Sequence, residues 1–222
     1  MSKSVLILTV HGIGRTSRTL DPGEDHSWVT VEQFEEVLDA AVGRPDVKLT
    51  FDDGNVSDIE IGLPRLLERG LSAEFFVLAG LLGEPGRLDS AGVRELHKAG
   101  MHVGSHGWAH RDWRRLDPSL HAQEFRDSCR VLAELTGRAV SRVAIPFGSY
   151  DRHVLRNLRG AGITRAFTSD GGRARPNSWL QPRTSLRADI SQGWLRSVLD
   201  GRPSLVQRTR RIGARGIKQV RG

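Results

Sequence analysis

The sequence predicts an α/β fold in which helices cover a parallel sheet. Three observations carry that expectation. Apolar runs of strand length alternate along the chain with amphipathic stretches of helical period. Several helical stretches close on a glycine. Titratable residues follow the strand-like runs, where the carboxyl ends of parallel strands would gather them. A chain of 222 residues, 38% hydrophobic and 27% charged, fits one soluble domain with a sizeable core.

The first strand is VLILTV, 5–10. Its apolar run is too short for a signal-peptide core or a membrane span, so a cytoplasmic location is expected. A long polar loop, 11–29, follows; such loops commonly border sites. Thr30 and Gln33 open the next helix, 30–42, at capping-box spacing. VKLTF, 47–51, is the second strand. Ser57 and Glu60 stand at the same capping spacing before a helix closing at Gly70, with Pro64 inside it implying a kink or a late start.

Strands at 73–79, 101–106, 142–147 and 165–169 follow, with a further candidate at 183–187. Between them lie helices at 90–98, 118–135 and 151–159, the first two closing at Gly100 and Gly137; a last helix fits 189–199. Seven candidate strands suit either an irregular closed barrel or an open doubly wound sheet, and pattern alone leaves both open. Cys129, the one cysteine, excludes an intramolecular disulfide and reads as a packed helical residue.

The net charge of +7 is localised. Arg202, Arg208, Arg210, Arg211, Arg215, Lys218 and Arg221 carry seven positive charges with no acid among them, leaving the body neutral. A domain over 1–200 and a basic, poorly ordered tail over 201–222 are therefore expected. The tail suits weak contact with an anionic membrane surface, whereas a general nucleic-acid binder is not indicated.

The chemistry gathers at strand ends. Asp52 and Asp53 are adjacent carboxylates closing a buried strand, an arrangement opposed by repulsion and desolvation unless something positive sits there. His106 and His110 lie four apart in SHGWAH, a weak signal alone. With a strand-end carboxylate they complete a His-His-Asp set suited to a divalent metal with an open position. The other carboxylate is then free to act as a general base toward water.

LTFDDG, SHGWAH and AIPFGSYD resemble the first three motifs of the polysaccharide deacetylases, also called carbohydrate esterase family 4 or the NodB homology domain. The resemblance covers about residues 5–190. It implies a distorted (β/α)7 barrel and metal-dependent removal of an N-acetyl, or sometimes O-acetyl, group from a glycan or glycan precursor. It also implies Asp52 as the base, and Asp53, His106 and His110 as ligands of a divalent metal, zinc first, with cobalt, nickel or manganese as alternatives. Pro146, Phe147 and Gly148 correspond to the motif whose aromatic residue supplies an oxyanion-binding N–H.

The chain departs from the family at two places. Ala144 stands where many members carry an arginine that orients the base; Arg183 resembles the compensating arginine of the exopolysaccharide-deacetylase branch, and Arg142 is the poorer alternative. No LxH histidine follows residue 160, and His11, emerging from the first strand, is the replacement candidate for proton donor. Trp108 and Tyr150 are expected near the substrate, with Trp113, Asp151, Glu24, Asp25, His26 and Trp28 of lower rank. Asp58 is read as a helix cap or a neighbour of the aspartate pair. The alternative functions are an amidase on a small C–N substrate and a catalytically weak glycan-binding protein.

Overall fold

The protein is described by a computed structural model over residues 4–201. The basic tail, from Arg202 on, lies outside the described residues. In chain order the elements are β1 Val5–Val10, β2 Gly12–Ile13, β3 Trp28–Val29, α1 Val31–Ala41, β4 Val47–Asp52 and α2 Leu63–Glu68. There follow β5 Ala73–Val77, α3 Ser90–Lys98, β6 His102–Ser105, α4 Ser128–Thr136, β7 Arg142–Ala144 and α5 Arg152–Gly160. The last are β8 Arg165–Thr168, β9 Arg173–Ala174, β10 Leu180–Pro182, β11 Thr184–Ser185 and α6 Gln192–Leu199.

The main sheet runs β10-β8-β7-β6-β5-β4-β1-β11, with every pair on that path parallel and β9 antiparallel against β1. Its two edges, β10 and β11, are consecutive in the chain and separated only by Arg183. One broken seventh strand therefore pairs with β8 through its first half and with β1 through its second, closing the sheet into a distorted barrel. Of the two architectures left open by the pattern, the barrel is the one formed.

Strand alternation divides the core. Leu6, Leu8, Val10, Leu49, Phe51 and Phe75 face outward and pack beneath helices such as α1, where Phe34 meets the Phe51 ring edge-on at 5.9 Å. Ile7, Phe76, Ala144 and Phe167 face inward as a small apolar plug. Polar interior residues flank that plug: Thr9, Thr50 and Glu74 stand in strand register with one another, and Asp52 lies beside Phe76 at the C-terminal end of β4.

Helix starts follow local chemistry. Thr30 accepts from Gln33 N while the Gln33 side chain accepts from Thr30 N, the capping box expected there. The Ser57–Glu60 capping box does not form: Ser57 has helical backbone angles, and its hydroxyl accepts from Ile13 N at 3.3 Å. Beyond it Asp58–Gly62 is a π-helical turn leading into α2. Pro64 has no N–H with which to continue an ordinary α ladder, and the wider turn absorbs that loss. The expected helix over 118–135 is likewise divided, into a 3-10 turn at Pro118–Leu120, a π turn at Gln123–Asp127 and α4. The strand expected over 142–147 ends at Ala144, because Pro146–Gly148 folds into a tight turn.

Gly104 lies under the interior plug. A Cβ there would sit 2.6 Å from the Phe76 ring and 2.9 Å from Arg142 O. Gly104→Ala should destabilise the protein by roughly 1–3 kcal/mol, read as a lowered melting temperature.

Candidate active site

β4 delivers Asp52 on its last residue, and the chain then turns sharply through Asp53 (φ 76°) and Gly54 (φ 63°). Among the described residues, the non-glycine residues with positive φ are Asp53, His110 and Phe147. All three border one cleft of about 320 Å³ at the carboxyl ends of the strands. Such backbone is costly for ordinary side chains and collects where function over-determines the geometry.

Asp52 is held from below. Arg183, 2% exposed at the barrel's seam, donates from both terminal nitrogens to the two Asp52 oxygens, each at 2.7 Å, and also to Thr50 Oγ1 at 3.2 Å. The guanidinium lies over the rings of Phe76 and Phe167, at 5.2 and 5.8 Å. Burial alone would raise the Asp52 pKa. The Arg183 charge, with His106 and His11, outweighs burial and holds this carboxyl well below the usual range.

Asp53 meets the two histidines. Its Oδ1 is buried, without a hydrogen-bond donor, 3.4 Å from His106 Nε2 and 3.5 Å from His110 Nε2. The three ligand atoms lie within 4.8 Å of one another. His106 Nδ1 is 2.9 Å from Ala144 O; that contact assigns the proton to Nδ1 and leaves Nε2 with a lone pair directed at Asp53. Burial pushes the His106 pKa down to about 4, so the ring is neutral at ordinary pH. An orphaned carboxylate oxygen facing two imidazole nitrogens fits a divalent cation, and this donor set suits zinc or a neighbouring transition metal.

Glu124 shapes the segment carrying both histidines. Fully buried, it accepts from Trp108 N at 2.8 Å, Ala109 N at 3.3 Å and Trp113 Nε1 at 3.2 Å, with Arg111 Nε at 3.4 Å. A Cβ on Gly107 would stand 2.5 Å from Glu124 Oε2. The sequence reading missed this residue, because its role rests on burial that no local pattern encodes. Glu124, Ser128 and Leu132 recur at i, i+4, i+8 and are all fully buried, which places a carboxylate on an inward-facing stripe.

The cleft gathers Asp52, Asp53, His106, His110, His11, Phe147 and Gly148, with Glu24 and His26 from the long first loop. His11 Nδ1 is buried and unpartnered. Asn55 ties that segment to the turn after β4: its Nδ2 donates to His11 O at 2.6 Å, and its Oδ1 accepts from Arg18 and Arg87. Phe147 is 62% exposed and its ring lies 4.3 Å from that of His110.

Tyr150 and Trp108 take other places. Tyr150 is completely buried, and its hydroxyl donates to Asp170 Oδ2 at 2.6 Å, because the chain after Gly148 turns down into the layer beneath α5. Trp108 packs over Gly80, and neither residue lines the cleft. Asp151 caps α5 by accepting from Val154 N. Asp58 caps nothing: it is 1% exposed and neither carboxyl oxygen has a donor.

A family model described as "Polysaccharide deacetylase" matches residues 39–166, more than half of the chain. That span holds the aspartate pair, both histidines and the Pro146–Gly148 turn, and leaves out His11 and Arg183. No relative was found among curated proteins. Solved structures share the fold. The Streptococcus pyogenes deacetylase PplD, in complex with acetate, is 20% identical, with a TM-score of 0.75 over 91% of this chain and 100% of its own. A polysaccharide deacetylase from Bacillus cereus is 18% identical, with a TM-score of 0.77 over 89% of this chain and 69% of its own. IcaB from Ammonifex degensii is 21% identical, with a TM-score of 0.71 over 90% of this chain and 97% of its own.

Burial, reinforced by the Asp53 and Asp52 charges, holds the Asp58 carboxyl well above its ordinary value of 3.8, against the pull of Arg87. The unfolded chain ionises this group near 3.8 and the folded chain only at higher pH. Its contribution to stability is therefore full below 3.8 and falls as pH rises toward the folded value. Asp58→Asn should melt higher than the wild type at neutral pH, by a margin that widens from acid to neutral pH in a series of thermal melts.

Proposed function

The chain belongs to the polysaccharide deacetylase family, and on that basis we propose that it hydrolyses acetyl groups, N-linked in the first instance, from a glycan or glycan precursor. The observation that carries this reading is the division of labour between the two aspartates. Arg183 anchors both oxygens of Asp52, while Asp53 Oδ1 is left bare against His106 and His110.

Asp53, His106 and His110 would hold a divalent metal, zinc first, which when bound would polarise the acetyl carbonyl and acidify a water. Asp52 takes the proton of the attacking water at a carboxylate oxygen. Its low pKa makes it a weak base, but keeps it ionised and fixed in direction across ordinary pH. The Phe147 N–H sits in a 3-10 turn too short to give it an internal acceptor and is the donor proposed for the developing oxyanion. The φ of 57° at Phe147 and of 57° at Gly148 bring this backbone to the cleft wall. A Cβ on Gly148 would stand 1.9 Å from Ser169 Oγ, so only glycine fits there.

His11 is proposed to protonate the leaving group. It reaches the same cleft from β1, the strand that neighbours β4. Phe147, exposed beside His110, offers a flat apolar face to a sugar ring.

Acetate release from a panel of N-acetylated oligosaccharides tests the reading. Asp52→Asn should lower the rate roughly 100- to 10,000-fold, the range for loss of a general base, while retaining bound metal. His110→Ala should lose metal by elemental analysis. Full activity in Asp52→Asn would overturn the assignment of the base, and full metal stoichiometry in His110→Ala that of the ligand.

Proton donation by His11 has a signature of its own. An amine must be protonated as it leaves, whereas an activated aryl alcohol departs unaided. His11→Ala should therefore slow N-acetyl hydrolysis strongly and leave an aryl acetate nearly unaffected. Equal losses on both substrates would remove His11 from that role.

A further inference from the structure

The opposite end of the barrel carries charge for which the proposed reaction has no use. On five consecutive strands, the residue two positions before an interior residue is ionisable: Lys48 before Thr50, Glu74 before Phe76, His102 before Gly104, Arg142 before Ala144 and Arg165 before Phe167. Strand alternation puts each on the barrel's inner side, one layer nearer the strand N-termini. There these five line a single cavity of about 270 Å³ whose inner wall includes Ile7, Thr50 and Phe167. A second hollow, of about 460 Å³, shares Glu74, His102 and Arg142 and adds Arg138 and Lys98.

The charges do not balance. Among the described residues, Glu74 is the one carboxylate lining either hollow, and it already accepts from Arg142 at 2.6 Å. Arg165, partly buried, stands beside Arg142 in strand register without an ion pair among the described residues, and Arg142 Nε is buried without an acceptor. Like charges on neighbouring strand positions repel. The local field shows the excess: after burial, Arg142, Arg138 and Lys48 all press the His102 pKa down.

Two guanidinium groups on adjacent strands form a pair of forks suited to a tetrahedral oxyanion. Glu74 sharpens the specificity. Its Oε1 is buried and lacks a donor, so it can accept a hydrogen bond from the O–H of a hydrogen phosphate, a donor that sulfate lacks. We propose that the floor of the barrel, formed by Lys48, Glu74, His102, Arg142 and Arg165, is a binding site for a hydrogen phosphate or phosphomonoester group. The cavity shares no lining residue with the cleft, so the proposal stands independently of the deacetylase reading.

Calorimetric titration of the full chain with inorganic phosphate at fixed ionic strength, with sulfate in parallel, tests the site. Phosphate should bind at least tenfold more tightly than sulfate. Arg165→Ala, or Arg165→Gln if the alanine variant fails to fold, should weaken phosphate at least tenfold while leaving acetate release unchanged. Glu74→Gln should bring the two anions level. Absence of phosphate binding in the wild type, or undiminished binding in both Arg165 variants, would overturn the proposal. Sedimentation with phosphatidate-containing and pure phosphatidylcholine vesicles separates the sources. Phosphatidate-dependent sedimentation lost in the Arg165 variant assigns the site to a lipid headgroup, and phosphate binding without sedimentation assigns it to a soluble phosphate.

Discussion

The structure depends on one buried ion pair, Arg183 with Asp52. Each group alone would be an uncompensated charge in a barrel interior, and losing one partner of such a pair typically costs about 3–5 kcal/mol. Joined through two parallel hydrogen bonds of 2.7 Å, they form a fixed polar layer over the Phe76 and Phe167 rings. Arg183 is also the residue at which the seventh strand breaks. Its N–H donates to Thr168 O on one side of the seam, and its carbonyl accepts from Gly171. Closure of the sheet and placement of Asp52 thus rest on the same residue.

Around that pair, rigidity comes from backbone held in unfavourable conformations by strong local contacts. Asp53, His110 and Phe147 each adopt positive φ on a different loop. Asp53 is restrained by Arg87 donating to its carbonyl at 3.0 Å. The loop carrying His110 is gripped by Glu124 through consecutive backbone N–H groups. Phe147 is flanked by a proline and by a glycine that admits no side chain. Each of the three is thus held in place by neighbours that are themselves fixed.

Much of this was legible in the sequence, for identifiable reasons. Strand alternation and helix punctuation placed β1, β4–β8 and the helices α1, α3 and α5 near their observed positions, because those signals are local. The convergence of Asp52, Asp53, His106 and His110 was legible because parallel strands gather their carboxyl ends. Other features were hidden because they depend on contacts distant in sequence. The split of the last strand at Arg183 needs β8 and β1 as simultaneous partners, and no periodicity encodes that. Tyr150 reads as a cleft residue by proximity to the Pro146–Gly148 turn, yet the chain dives inward immediately after it. The paired strands β2 and β3, two residues each, are too short to leave a pattern, and the Trp28 ring occupies the space over Gly12.

The position of Arg183 bears on when the protein acquires its site during synthesis. The contacts that fix Asp52 span 131 residues, so a nascent chain carries both aspartates and both histidines long before the guanidinium that grips Asp52 emerges from the ribosome. Until then β11 is missing from the seam, and Asp52 lacks the partner of both its oxygens. Every truncated product that ends before this arginine lacks both the seam and the fork on Asp52, whatever other cleft residues it carries.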